Sequence, residues 1–338
     1  MRVTNKMLSN SFLADMRTNL QNMQTVQQQM SSGKEIRRPS DDPFKVSRAM
    51  EINSEIDANK QYNENISDTI NWLDTTDTAM SQAGNVLQRV RELLVSAGNA
   101  AYGSNERQSI KDEINQDIGQ FAQILNTNFD GKYIFGGTRA TTKPVDAIKD
   151  PTTGNSQLVY LKRDGTTVVP TNPMPPSDTE VNMISAKVSV EISQGVKMNY
   201  NVSASDVMYY TPSASGDTSS ISQLFNNIVN HLDGKDSSGA VDPSASSKLT
   251  NDDLRGITDA INNLLKVRSE VGAKQNRMDS AKDKNTDETT NLTSILSKTE
   301  DIDITEKTME YANMQTVYMA SLQTSAKVIQ PSLLDYLR

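Results

Sequence analysis

The chain has 338 residues, of which 35% are hydrophobic and 5% aromatic, and its net charge at neutral pH is −8. An acidic chain lacks the basic face that nucleic-acid phosphates require, and so low an apolar content favours helical seams over one large globular core. Cysteine is absent, which excludes disulfides, thiolate metal sites and a cysteine nucleophile.

The beginning of the chain bears on export. Met1 to Met30 contains neither the apolar stretch of a signal peptide nor a small-residue cleavage site. No apolar run approaches the ~18 residues of a membrane span. We therefore expect neither a cleaved secretory signal nor a transmembrane helix, and export would have to use another route.

The first predicted element is a helix with one apolar stripe. The stripe has heptad spacing, with Gln27 in its remaining position, and such spacing predicts packing against another helix. Its apolar members are Leu13, Met16, Leu20, Met23 and Met30. The helix should break after Gly33, and Asp42 should cap a second helix that has Pro43 in its first turn. We predict a joint between the two helices at Gly33, Pro39, Asp42 and Pro43.

Long helices are predicted on both sides of a central insert. No proline occurs between Phe44 and Lys143 or between Ser244 and Gln330, and proline disrupts helix interiors. Apolar periodicity predicts a helix that ends near Gly98 and another over about 104–127. On the return side, Thr250 and Asp253 form a capping-box pattern before a further helix. We expect that helix to stop at a polar stretch, 282–291.

The last predicted helix mirrors the first. Ser297 and Glu300 indicate its start, and Asp301 and Asp303 would lie in its first turn. Its heptad stripe contains Ala326 and the residues Tyr311, Met314, Tyr318, Leu322, Ile329 and Leu333. Because the two terminal stripes match, we predict that the terminal helices pair as a coiled coil whose apolar side chains form an interface for assembly.

The insert has a different composition. Eight of the eleven prolines lie between Pro144 and Pro243. Alternating apolar residues predict a β-hairpin about Ser193 to Gly195, and Leu158 to Val169 offers two weaker strands. A short strand is expected at Tyr133 to Phe135, and the segment 172–177 is a proline-rich loop.

These elements define a fold class and three parts. The chain is predicted to be mainly α with a β-rich insert, an elongated helical rod whose terminal helices pair. Residues 1–43 and 294–338 would be the coiled-coil assembly arms, which we expect to become ordered on assembly. Residues 44–143 and 245–293 would form the helical bundle core, and residues 144–244 the outer insert domain.

Catalysis has little support in the sequence. His231 is the only histidine, so a histidine-rich metal site cannot form within one chain. No G-x-S-x-G, dinucleotide-binding or P-loop motif occurs. The acidic clusters lack the order of an EF-hand loop and are more typical of caps and solvated faces. We expect His231 at an exposed helix end, and no catalytic, cofactor or metal site.

Several motifs resemble those of one family. The segments 31–36 and 39–43 are similar to the conserved amino-terminal segment of flagellins and flagellar hook-associated proteins, and residues 1–4 resemble their opening. Near the carboxyl terminus, residues 320–322, 326–329 and 332–337 resemble the end of the junction member of that family. Residues 129–137 are the most discriminating piece. The resemblance spans roughly residues 1–140 and 245–338 and is weaker over the insert.

The resemblance implies a structural adaptor between the first hook-associated protein and the flagellin filament. It further implies export through the flagellar type III apparatus, an export chaperone that holds the carboxyl-terminal arm, and homo-oligomeric packing. Absence of cysteine suits passage through an export channel, since no crosslink can form. Head-to-tail contacts build rings or helices of subunits.

Three alternatives remain. Flagellin itself is the nearest, and it is disfavoured by residues 133–137 and 332–337. A secreted enzyme with a catalytic insert is a second, although the insert has one histidine and no ligand spacing. A cytoplasmic coiled-coil scaffold would leave the paired terminal motifs unexplained.

Overall fold

The computed structural model describes residues 5–98, 103–150, 154–170, 178–213, 216–236 and 239–328. Over these residues the fold is mainly helical with a β-rich insert, so the predicted fold class is confirmed. The long helices are α1 (Asn5–Ser32), α2 (Pro43–Ala97), α3 (Ser104–Leu125), α8 (Leu254–Glu300) and α9 (Ile304–Val328). None of the helices in the described part of the chain is apolar over enough length to span a membrane.

The chain divides into two compact units. One takes in the chain up to Lys60 and from Thr286 onward, and the other runs from Gln61 to Asn285. In the first unit α1 and α9 lie side by side in opposite directions, since Lys34 bridges to Asp301 whereas Asp15 lines the same groove as Val317. The second unit contains most of the buried apolar side chains.

Helical seams form the core of the second unit. Leu73, Met80 and Leu87 of α2 are fully buried, as are Ile114 and Phe121 of α3. Between α2 and α8 the seam also has charged and polar links, which satisfy side chains that could not be buried alone. Arg268 Nε and Nη2 donate to the two carboxylate oxygens of Asp77 at 2.9 and 3.0 Å, and Gln275 donates to Asp74 at 2.7 Å.

The insert carries short antiparallel sheets. A hairpin joins β1 (Asn128–Phe129) to β2 (Lys132–Tyr133), and a three-stranded sheet has the order β3 (Val145–Lys149), β4 (Ser156–Leu161), β5 (Thr167–Val168). The predicted hairpin is present as β6 (Ser189–Ser193) and β7 (Val196–Asn199), with Val190 opposite Met198. A last pair consists of β8 (Tyr209–Tyr210) and β9 (Ser219–Ser220).

Helices also occur in the insert, which was expected to be β-rich or irregular apart from a helix that ends near His231. They are α4 (Thr179–Ser185), α5 (Ala204–Met208) and α6 (Ile221–Leu232), with α7 (Ala245–Lys248) following at its end. Asp178, Ser203 and Ser220 cap the first three, each through its side-chain oxygen. Asp and Ser are common capping residues, so the starts of these helices could have been predicted from the sequence. Helix α6 buries an apolar face that includes Phe225 and Ile228.

Four local predictions were wrong. Thr250 does not form a capping box, because it lies in a π-helical turn, Leu249–Asp253, and its hydroxyl donates to the carbonyls of Ser246 and Ser247. The expected break over 282–291 does not occur, because α8 continues to Glu300 and buries Asn285, whose amide donates to the main-chain oxygen of Ile192 at 2.8 Å. The last helix begins at Ile304, after Asp303, whose carboxylate accepts from the N–H groups of the first turn. The strand expected at Tyr133 to Phe135 stops at Tyr133.

Candidate assembly interface

Helices α1 and α9 meet along a narrow stripe of half-buried side chains. On α1 these side chains are Phe12, Met16, Asn19, Met23, Val26 and Met30, and on α9 they are Lys307, Tyr311, Met314, Tyr318, Ser321 and Ser325. The alternating spacing of four and three residues is that of a coiled-coil seam. Val26, at 4% exposure, is the buried centre of the α1 side. Polar residues take several seam positions, so the pair buries little apolar surface.

Six predicted interface residues lie on this stripe, and three do not. Those on it are Met16, Met23, Met30, Tyr311, Met314 and Tyr318. Leu13, Leu20 and Leu322 flank it and are 43%, 41% and 44% exposed. Ile329 and Leu333 lie outside the described residues. A role of these eleven residues in assembly stays a prediction.

The register of the seam explains the difference. Met16, Met23 and Met30 fit two heptad frames, one continued by Leu13, Leu20 and Gln27 and the other by Phe12, Asn19 and Val26. The second frame buries Val26 and half-buries Phe12 and Asn19, whereas Gln27 of the first frame is exposed. The fold adopts the second frame. The leucines of the first are thereby left on the outside of the pair.

Apolar side chains therefore cover more than the inner seam. Beyond the three leucines, α9 exposes Met309, Val317 and Met319 by more than half. Val317 also lines a groove of about 430 Å³ between the two helices, beside Met314 and several asparagines. A helix with apolar residues on several faces is typical of one that is buried on several faces. The sequence prediction missed Met309, Val317 and Met319 because they fall outside any heptad stripe.

The predicted joint is a defined structure. Gly33 ends α1 with a φ of +72°, a left-handed conformation that favours glycine. Its carbonyl accepts from the N–H of Ile302 at 3.1 Å, and the N–H of Glu35 donates to the carbonyl of Glu300 at 2.5 Å. A salt bridge between Lys34 and Glu300 reinforces this contact. The joint is thus held against the α8–α9 connection.

Aspartates shape the second half of the joint. Pro39 lies in a turn in which the N–H of Asp41 donates to the carbonyl of Arg38 at 2.9 Å. Oδ1 of Asp42 accepts from the N–H groups of Phe44 and Lys45, both at 3.1 Å, and Pro43 is the first residue of α2, as predicted. Phe44 follows with 83% of its surface exposed. Aromatic residues are enriched at protein interfaces, so Phe44 is a candidate contact residue that the sequence prediction did not identify.

Chemical sites are not apparent in the described residues. Among them no group of three or more histidine or carboxylate side chains could hold a metal ion.

The expectation of an exposed His231 is wrong: the residue is buried near the end of α6, and its Nδ1 lies 2.6 Å from a carboxylate oxygen of Asp253. Burial raises the pKa of Asp253, and His231 opposes the rise. The pair links α6 to the turn before α8.

Comparisons with known proteins agree with this architecture. The bacterial flagellin N-terminal helical region matches residues 3–140, and the flagellin C-terminal helical region matches residues 254–337. Flagellar hook-associated protein 3 of Escherichia coli is 22% identical over 87% of this chain and 86% of its own length. A flagellin of Clostridium tyrobutyricum is 23% identical over 92% and 94% of the two chains.

A solved structure shares the fold. The crystal structure of flagellar hook-associated protein 3 from Legionella pneumophila superposes with a TM-score of 0.56, at 16% identity, over 73% of this chain and 97% of that one. A helical architecture with these two terminal regions defines a class of flagellar structural proteins. The chain belongs to the flagellin-like family, as the motifs predicted.

Proposed function

We propose that the chain is a structural adaptor of the bacterial flagellum, at the junction between the hook and the flagellin filament. The observation that carries this function is the similarity to hook-associated protein 3 over 87% of this chain, together with the matches to the two terminal helical regions of flagellin. The exposed apolar flanks of α1 and α9 supply the physical requirement, since a subunit that is buried between others needs apolar surface beyond its own seam.

Assembly through the terminal arms follows from this proposal. The arms, residues 1–43 and 294–338, form the assembly domain, in which Leu13, Leu20 and Leu322 contact neighbouring subunits. The helical core is 44–143 with 245–293, and 144–244 is the outer domain. Contacts between unlike surfaces of successive copies produce a ring or helical layer. The joint at Gly33, Pro39, Asp42 and Pro43 connects the amino-terminal arm to α2.

Partners and location follow in the same way. One face of the layer binds the first hook-associated protein and the other binds flagellin. The chain reaches this site through the flagellar type III apparatus, with a chaperone on its carboxyl-terminal arm before export. Its role is structural and not enzymatic.

Flagellin is the second candidate, and the similarity to the Clostridium tyrobutyricum flagellin favours it. The two functions differ in copy number, because a filament contains thousands of subunits and a junction contains a thin layer. Quantifying the protein against the hook protein in purified flagella separates them. A ratio far above that of one layer would exclude the junction role.

The assembly surface is tested with exposed residues, whose replacement leaves the subunit's own core intact. Leu322→Asp should prevent incorporation into flagella and abolish motility in a strain that lacks the native protein, whereas its unfolding transition should not change. Val241→Asp is the matched control, since Val241 is also exposed and lies in the other unit. Equal incorporation of the two variants would refute the proposed surface.

A further inference from the structure

An aromatic groove on the second unit is not accounted for by assembly through the terminal arms. It has a volume of about 660 Å³, and its wall contains Trp72 from α2, Phe129 from β1, and Tyr200 after β7. The indole stands nearly perpendicular to both neighbours, at 88° to Phe129 and 85° to Tyr200, with ring centroids 6.1 and 5.9 Å away. All three rings are half-buried, so each keeps a face or edge for a ligand.

The indole of Trp72 has an unpaired hydrogen-bond donor. Trp72 Nε1 is buried and has no partner among the described residues. A buried donor without an acceptor costs about 1–3 kcal/mol, and a carbonyl that reached the indole would remove that cost. The polar residues of the wall, among them Asn65, Thr69 and Ser189, can supply further hydrogen bonds to a peptide backbone.

Perpendicular aromatic rings with a tryptophan donor are suited to one kind of ligand. Grooves of this chemistry bind proline-rich segments in the polyproline II conformation, in which proline rings pack against the aromatics and the fully solvated carbonyls remain free to accept. Such a segment loses little conformational entropy on binding. A charged ligand is less suited, since Asp68, Asp130 and Lys132 give the wall a net charge of only −1.

The chain itself contains a segment of this composition. Residues 170–176 read Pro-Thr-Asn-Pro-Met-Pro-Pro, with four prolines and no charge. Of these, 171–176 lie outside the described residues. Pro170 and Asp178, which flank residues 171–177, are described, so every copy in a layer would carry the segment at the same place in its insert.

We propose that the Trp72 groove docks the proline-rich segment of a second copy of this chain. This inference rests on the proposed function, because it requires copies to lie side by side in one layer. It assigns the outer domain a role as a lateral contact, in addition to the contacts of the terminal arms.

The only tryptophan of the chain reports on the groove. Adding a synthetic peptide of residues 169–179 to the full-length protein should give a saturable change in Trp72 emission. Replacing Pro173, Pro175 and Pro176 by alanine in the peptide should abolish the change. In the protein, Tyr200→Leu should weaken binding about fivefold to tenfold, whereas Tyr62→Leu, at another half-buried tyrosine of α2, should not alter it.

Three results would overturn the inference. One is no saturable change at millimolar peptide, and another is an equal response to the alanine peptide. The third is a change in Trp72 emission when the same prolines are replaced within a dilute, monomeric chain, because the segment would then occupy its own groove. The peptide assay uses the monomeric protein, so a negative result would not contradict the junction function. Conversely, if Leu322→Asp did not impair assembly, the peptide assay would still show whether the groove binds the segment.

Discussion

Gly137 is the residue whose replacement tests the packing of the insert most sharply. Its φ is +59°, and a Cβ built there would lie 2.3 Å from the carbonyl oxygen of Ile184 and 2.4 Å from that of Met183. Gly137→Ala therefore forces the end of α4 to move by about 1 Å to reach ordinary contact distances. That movement disturbs the two hydrogen bonds that Thr138 donates to the Met183 carbonyl, at 3.0 and 3.1 Å.

The cost is the sum of two effects. Left-handed backbone at a non-glycine residue costs about 1–2 kcal/mol, and weakening two hydrogen bonds costs about 1 kcal/mol each. We expect Gly137→Ala to lower the free energy of unfolding by about 3–4 kcal/mol, measured by urea titration with Trp72 fluorescence, which reports on the same unit.

Gly131 provides the matched control. Its φ is +74°, and a Cβ at this position would have no atom within 4 Å, so Gly131→Ala should incur only the backbone cost of about 1–2 kcal/mol. The difference of about 2 kcal/mol corresponds to a gap of roughly 4–8 °C in Tm. Equal destabilisation by the two substitutions would show that α4 does not press on Gly137, and would refute the reasoning.

Three further predictions concern single side chains. Burial, with the nearby Glu113, raises the pKa of Asp117 to about 6. Between these pH values the native state binds a proton that the unfolded state has lost, so the free energy of unfolding should fall as pH rises from about 4 to about 6. After allowance for solvent screening, Asp117→Asn should raise the free energy of unfolding by about 1 kcal/mol at pH 7 and leave it unchanged at pH 4. Met23→Asp, within the α1–α9 seam, should reduce helicity by circular dichroism in a stabilising osmolyte that favours folded arms in the free subunit, whereas Leu20→Asp should not; equal helicity there would contradict the assigned register. Phe44→Ser should leave thermal unfolding unchanged and reduce incorporation into flagella, and normal incorporation would remove Phe44 from the interface.

The sequence predicted the elements that have strong local signals. Proline-free apolar periodicity identified the long helices, and the aspartate before Pro43 located the start of α2 because capping is a local interaction. The hairpin about Ser193 to Gly195 was predictable from alternation around a turn. The family could be predicted because its motifs occur near both ends of the chain and at residues 129–137.

What the sequence did not predict depends on tertiary contacts. The polar stretch 282–291 stays helical because Asn285 reaches a main-chain carbonyl of β6, a contact about ninety residues away in sequence. The burial of His231 depends on Asp253 in the same way. The frame of the α1 seam was ambiguous, since three methionines fit both frames, and only packing against α9 selects Val26 over Gln27. Phe44 could not be predicted from apolar periodicity, because periodicity identifies buried residues and Phe44 is exposed.

The most direct test of the junction role is the position of the protein in isolated flagella. Antibody labelling, viewed by electron microscopy, should place label only at the boundary between hook and filament, in a layer one subunit thick or a few subunits thick. Label distributed along the filament would contradict the account and would identify the chain as a filament subunit.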